Sequence, residues 1–229
     1  MKIEYSISLI MFGSIIGYYV PLFAQKIITY KYSKGNGLSA QLLWMPKFGI
    51  VTCILNATGW GMVAYFSYSS FIALLFDLLL TLAILIAVVD LRVHKIPNET
   101  VFGVMVLGSA FQLFSNGGKG LLYGGLSMLA VMACFTLLAG AMGFRSVGAG
   151  DIKLAGAMGL TLSYPYILHG LIVMSLLMAF YCTVGIIFKK LTLKSMLPFA
   201  PFMMAGMSYA LIIILNSHLL FLSCQSYIS

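Results

Sequence analysis

Only five of the 229 residues are acidic: Glu4, Asp77, Asp90, Glu99 and Asp151. Two of them stand where a carboxylate could work. Asp90 closes the apolar run LLLTLAILIAVVD and precedes the loop Leu91-Arg92-Val93-His94-Lys95-Ile96-Pro97-Asn98. There Pro97 biases Ile96 away from helix and turns the chain out of its run. Asp151 closes Gly148-Ala149-Gly150-Asp151, just ahead of the apolar stretch Ile152 to Leu162. Glycines at 148 and 150 are positions that tolerate positive φ and let another backbone approach, which would give the carboxylate an opening. Two aspartates sharing one site cannot both ionise easily, so one keeps a proton while the other activates water. That is aspartic-protease chemistry. The structural alternative is that either aspartate meets Lys95 or Lys153 in an interfacial ion pair.

The remaining chemistry-bearing residues offer less. Glu99 follows Pro97-Asn98 at a helix start, where a negative charge suits the N-terminal dipole, and Glu4 belongs at the outer mouth of the first apolar segment. Asp77 lies 13 residues before Asp90, about 20 Å along a straight helix at roughly 1.5 Å per residue. It is either a structural residue of the outer leaflet or part of a wet cavity leading to the site. Lys153 either steadies an anionic Asp151 or anchors its helix at the interface. His94, His169 and His218 form no HExxH pair, so a zinc protease lacks its ligands, and no metal or other cofactor is expected. Gly125-Leu126-Ser127 lacks the closing glycine of a nucleophile elbow. Cys53, Cys134, Cys182 and Cys224 stand singly in or beside apolar segments, as buried thiols rather than a zinc ribbon or redox dithiol.

Elements that could hold these residues follow from composition. Hydrophobic residues make up 62% of the chain and charged ones 8%, with mean hydropathy +1.05. A soluble domain carries about 25% charged residues, so soluble enzymes, disordered chains and nucleic-acid binders are excluded despite the net charge of +8. Uncharged stretches cover 5–25, 48–76, 100–118, 120–144, 154–188 and 195–229. Since a span needs about 20 apolar residues, the chain reads as an all-α polytopic membrane protein, a single domain over residues 1–229. It has about eight transmembrane helices, near 6–28, 48–66, 70–90, 99–115, 121–142, 151–163, 165–188 and 198–221. The sixth is the shortest, and the first is too long for a signal-peptide core and is expected to stay attached. With the N-terminus outside, the inner loops hold Lys26, Lys31, Lys34, Lys47, Arg92, Lys95, Arg145, Lys153, Lys189, Lys190 and Lys194. Only Lys2 and Lys119 remain outside. The positive-inside rule favours this orientation, with Asp90 and Asp151 both at the cytoplasmic face. The basic charge is then an orientation signal, and no nucleic-acid partner is implied. Fifteen methionines and many small residues suit helix packing.

Gly148-Ala149-Gly150-Asp151-Ile152-Lys153-Leu154 resembles the Gly-x-Gly-Asp-x-Lys-Leu signature of type IV prepilin peptidases. Asp90-Leu91-Arg92 with Ile96-Pro97-Asn98 is similar to that family's first catalytic aspartate and Ile-Pro-Asn loop. Pro198-Phe199-Ala200-Pro201-Phe202 resembles its Pro-Phe-Gly-Pro-Phe motif, with Ala200 in place of the usual glycine. The resemblance covers about residues 77–205. It implies an intramembrane aspartic endopeptidase with Asp90 and Asp151 catalytic, supported by Gly148, Gly150, Lys153, Pro97 and Asn98. Its substrates would be prepilins or pseudopilins, each with a basic leader ahead of an apolar helix, cleaved at the cytoplasmic face of the cell membrane within the lipid bilayer. Longer relatives carry a methyltransferase domain with paired CxxC motifs between the first two spans. Here that interval, residues 29–47, is a short loop without CxxC, so no methyl transfer is expected. Two alternatives are a small ion-coupled transporter using the aspartates as a proton relay and a non-catalytic assembly factor for pilus or secretion systems.

Overall fold

The computed structural model describes residues 2–32, 46–66, 70–142, 148–189 and 197–228. It is all-helical over these residues: α1 (Lys2–Tyr32), α2 (Pro46–Phe66), α3 (Ser70–Val93), α4 (Asn98–Met142), α5 (Ala149–Leu162), α6 (Tyr166–Ile187) and α7 (Ala200–Ile228). All except α5 are long and apolar enough to cross a membrane. Most of the expected 29–47 loop falls outside the described residues, as do the side chains of Glu4, His218 and Cys224. Cys53, Cys134 and Cys182 are free.

The count of spans turns on α4. Its 45 residues would reach about 68 Å if straight, at roughly 1.5 Å per residue, against a hydrocarbon core of about 30 Å. The helix breaks at Gly117, whose φ of 64° and ψ of −159° lie outside the helical region, a conformation glycine alone adopts without steric cost. Contacts with α5 show what the break does. In the first half, Asn98 meets Lys153 and Gly108 meets Thr161. In the second half the order reverses: Gly124 lies against the carbonyl of Leu160 and Met132 against Gly156. One half of α4 therefore runs with α5 and the other against it, a hairpin with α5 lodged between its arms. The eight segments read from hydropathy correspond to these helices with α4 counted twice.

Hydrophobicity gives no net drive for helices to associate in lipid, so contacts rest on small residues and interhelical hydrogen bonds. Between α1 and α2, Asn56 donates to the Gly13 carbonyl (2.8 Å). Thr81 of α3 donates to Asn56 Oδ1 (2.9 Å) and accepts from Trp60 Nε1 (3.1 Å). The central strut is α3, which packs on α1, α2, α4 and α7. The main core joins α3, α4, α5 and α7 through residues such as Phe76, Phe111, Met158, Met203 and Met207. These methionines pack the core.

Candidate active site

Asp90 lies one turn from the end of α3, which closes with the His94 N–H donating to the Asp90 carbonyl (2.8 Å). Its side chain is 4% exposed. Oδ2 accepts the backbone N–H of Ala200 at 3.0 Å, and the Phe199 backbone N–H also hydrogen-bonds the carboxylate. These amides open α7, where a helix leaves N–H groups without internal partners. A side chain 110 residues away thus caps α7. The Pro-Phe-Ala-Pro-Phe segment acts through its main chain, so the methyl group of Ala200 does not disturb the interaction and is itself fully buried. The motif by itself assigns this segment no task. The signal was available in Pro201, a residue suited to the first turn of a helix.

Asp151 is in the first turn of α5. Its Oδ2 accepts the Gly148 N–H (3.2 Å), the carboxylate half of a capping box. The two glycines act here by being small, a correction to the expectation of positive φ. Gly148 has φ −70°, Gly150 is helical, and Gly117 is the positive-φ glycine among the described residues. A Cβ at Gly150 would sit 3.3 Å from Ile96 Cβ, and one at Gly148 would sit 3.0 Å from Asp151 Oδ2. Bulk at Gly150 would push the α5 start away from the loop after α3, and bulk at Gly148 would displace the Asp151 carboxylate.

Asp90 and Asp151 open into one cavity of about 350 Å³, together with His94, Ile96, Gly148 and Phe199. The charge of Asp90 acts directly on Asp151, and that of His94 on Asp90. His94, exposed in the loop after α3, also lines the cavity. A larger opening of about 650 Å³, between Gln112, Lys119 and Tyr166, is lined by no carboxylate, so chemistry and not size marks the site. A facing pair of carboxyls can share one proton, attack with water and protonate a carbonyl oxygen. No group of three or more His, Cys, Asp or Glu that could hold a metal occurs among the described residues.

The supporting residues join the walls to one another. Pro97 turns the chain into α4, its carbonyl accepting the N–H groups of Thr100 (3.2 Å) and Val101 (3.3 Å). Asn98 Oδ1 accepts from Lys153 Nζ at 3.3 Å, tying the start of α4 to the start of α5. Lys153 thus meets Asn98 and neither Asp151 nor the lipid interface alone. Glu99 forms an ion pair with Lys31 of α1 (2.6 Å). Asp77 is apart from the cavity: it is fully buried in α3, and neither carboxylate oxygen has a hydrogen-bond partner among the described residues.

With this geometry in hand, comparison with known proteins is informative. The type IV leader peptidase family matches residues 77–183, a stretch that contains both aspartates. Among curated proteins, the prepilin leader peptidase/N-methyltransferase of Bacillus subtilis (strain 168) is 28% identical over 183 residues, covering 79% of this chain and 71% of that protein. No solved structure matches the chain significantly.

Proposed function

Because residues 77–183 match the type IV leader peptidase family, we propose that this chain is a member of it and acts as an aspartic endopeptidase of the cell membrane. In this reading it removes the leader of prepilin-like proteins at the cytoplasmic face. The observation that carries the proposal is the convergence of Asp90 and Asp151 on one cavity. Of the two, Asp90 is assigned as the base, its carboxylate accepting the Ala200 and Phe199 amides. Asp151, facing that charge, keeps the proton. Water between them gives a proton to Asp90 as its oxygen attacks the scissile carbonyl, and Asp151 protonates the carbonyl oxygen. The tetrahedral intermediate collapses when Asp90 passes its proton to the leaving amine and Asp151 recovers one from the hydroxyl. Both groups end as they began.

A prepilin-like leader is basic, and this face of the enzyme is lined by lysine and arginine. Recognition therefore rests on the substrate's apolar helix and not on attraction between charges. Methyl transfer is not part of the proposal. Residues 29–47 carry no acidic side chain to hold a ribose and no cysteine pair for zinc.

The deciding experiment compares Asp90→Asn and Asp151→Asn with the wild type in membranes, using a prepilin or pseudopilin substrate. Each variant should accumulate normally and lose cleavage by at least a hundredfold. Near-normal cleavage by either one removes it from the dyad.

A further inference from the structure

The aromatic residues around the cavity continue beyond it. Phe199 lines the cavity wall and makes an edge-on contact with Phe135 of α4 (centroids 6.3 Å, interplanar 78°). One turn along α7, Phe202 stacks on Tyr181 of α6 (5.3 Å, 54°). Phe135, Phe199, Phe202 and Tyr181 thus form a row in two contacting pairs from the second arm of α4 to α6, with Phe199 as the member that lines the cavity. The helices at its two ends are thinly covered. In α6, Ile167, Gly170 and Met174 are buried, yet no residue from Ser175 to Phe188 is. That half of α6 rests mainly on α7, and α4 and α6 do not form a packed pair.

We infer that this row, between the second arm of α4 and the half of α6 after Met174, is the seat of the substrate's apolar helix. The inference rests on the peptidase reading. It commits to that occupant because the row is continuous with the cavity and has the chemistry an apolar helix needs. Phe135 and Tyr181 lie about 10 Å before the ends of their helices at roughly 1.5 Å per residue, and Phe135 contacts Phe199 of the cavity wall. A helix seated there would present its N-terminal end, where leader joins helix, to Asp90 and Asp151. Lipid chains and a second copy of this protein are the competing occupants.

Site-specific photocrosslinking in the full-length Asp151→Asn protein, in membranes with a tagged prepilin-type substrate, separates them. A photoreactive residue at Tyr181 or Leu138 should capture the substrate's apolar segment at least tenfold more than one at Leu55 of α2 or Phe23 of α1, which are at least as exposed. Capture of lipid alone, of a second copy, or equal capture at all four positions overturns the inference. Wild-type enzyme run on the same substrate keeps the two levels apart. Cleavage with a silent position 181 sinks this seat alone, whereas no cleavage sinks the peptidase reading and the seat with it. As a second readout, Tyr181→Ala should raise KM about three- to tenfold with kcat within about twofold, the signature of a lost binding contact. A fall in kcat with KM unchanged would count against the seat.

Discussion

Asp90 is tied to α7 by what its oxygens accept and does its proposed chemistry through acidity, so mutation can separate the two. An asparagine keeps a carbonyl oxygen for the Ala200 N–H but cannot take a proton, whereas alanine leaves buried amides unpaired. Asp90→Ala should therefore melt below Asp90→Asn by an amount equivalent to about 1–3 kcal/mol, the cost of an orphaned buried polar group. Thermal unfolding in detergent measures the difference. Equal melting points would mean that the amides at the start of α7 do not depend on residue 90. The pH profile belongs to the same scale. A pair that works only when it holds one proton gives cleavage that falls on both the acidic and the basic side, with two apparent pKa values that describe the pair jointly. A single sigmoid would leave one of the aspartates without a part in proton transfer. Asp77 poses the opposite case, a buried carboxyl with no partner among the described residues. Threonine at that position would be close in volume and could donate to the carbonyl one turn back, as Thr161 does to Ala157 (2.9 Å). Asp77→Thr should melt at or above wild type and cleave normally. A severalfold loss of cleavage would instead place Asp77 on a path to the site.

Among the elements, α5 is the one whose position decides whether the two carboxyls meet. It is held between the arms of α4, and its first turn lies against Ile96 through Gly150. A methyl group at Gly150 asks Ile96 to yield a few tenths of an ångström, while a leucine cannot be accommodated without moving the helix. Gly150→Ala should cost a few-fold in kcat and Gly150→Leu nearly all activity, each with a smaller effect on membrane accumulation than on cleavage. Normal kcat in the leucine variant would show that the α5 start is free to shift. The break at Gly117 is a matter of backbone alone, because nothing lies within 4 Å of a Cβ placed there. Gly117→Ala should destabilise by about 1–3 kcal/mol, because φ 64° with ψ −159° is a conformation essentially restricted to glycine, and Gly117→Asn by a similar amount. Both are read as shifts in melting temperature.

Across the whole molecule, orientation and product are the testable properties. A cysteine introduced at His94 should react with an impermeant maleimide only after the cells are opened, and labelling of intact cells would put the dyad on the wrong face. Processed substrate should leave the enzyme with an unmodified amine, and an added 14 Da on its N-terminus, with no other enzyme present, would contradict the reading of the 29–47 loop. Membrane class, the approximate set of apolar segments, the location of lysines and arginines and the two aspartates at apolar-segment ends were all legible in the amino-acid sequence. The reason is that the cost of placing charge in hydrocarbon acts on each stretch of chain by itself, whatever its neighbours do. The folding of 98–142 into a hairpin around α5 depended on one backbone conformation, and hydropathy, blind to φ, could mark only the two apolar arms. Partnerships between helices were not legible at all. Lys153 finds Asn98, Asp90 finds the Ala200 amide and Asp77 finds no one among the described residues. In lipid, helix contacts follow from shape and from hydrogen bonds between faces far apart in the chain, so those partners were decided only when the helices packed.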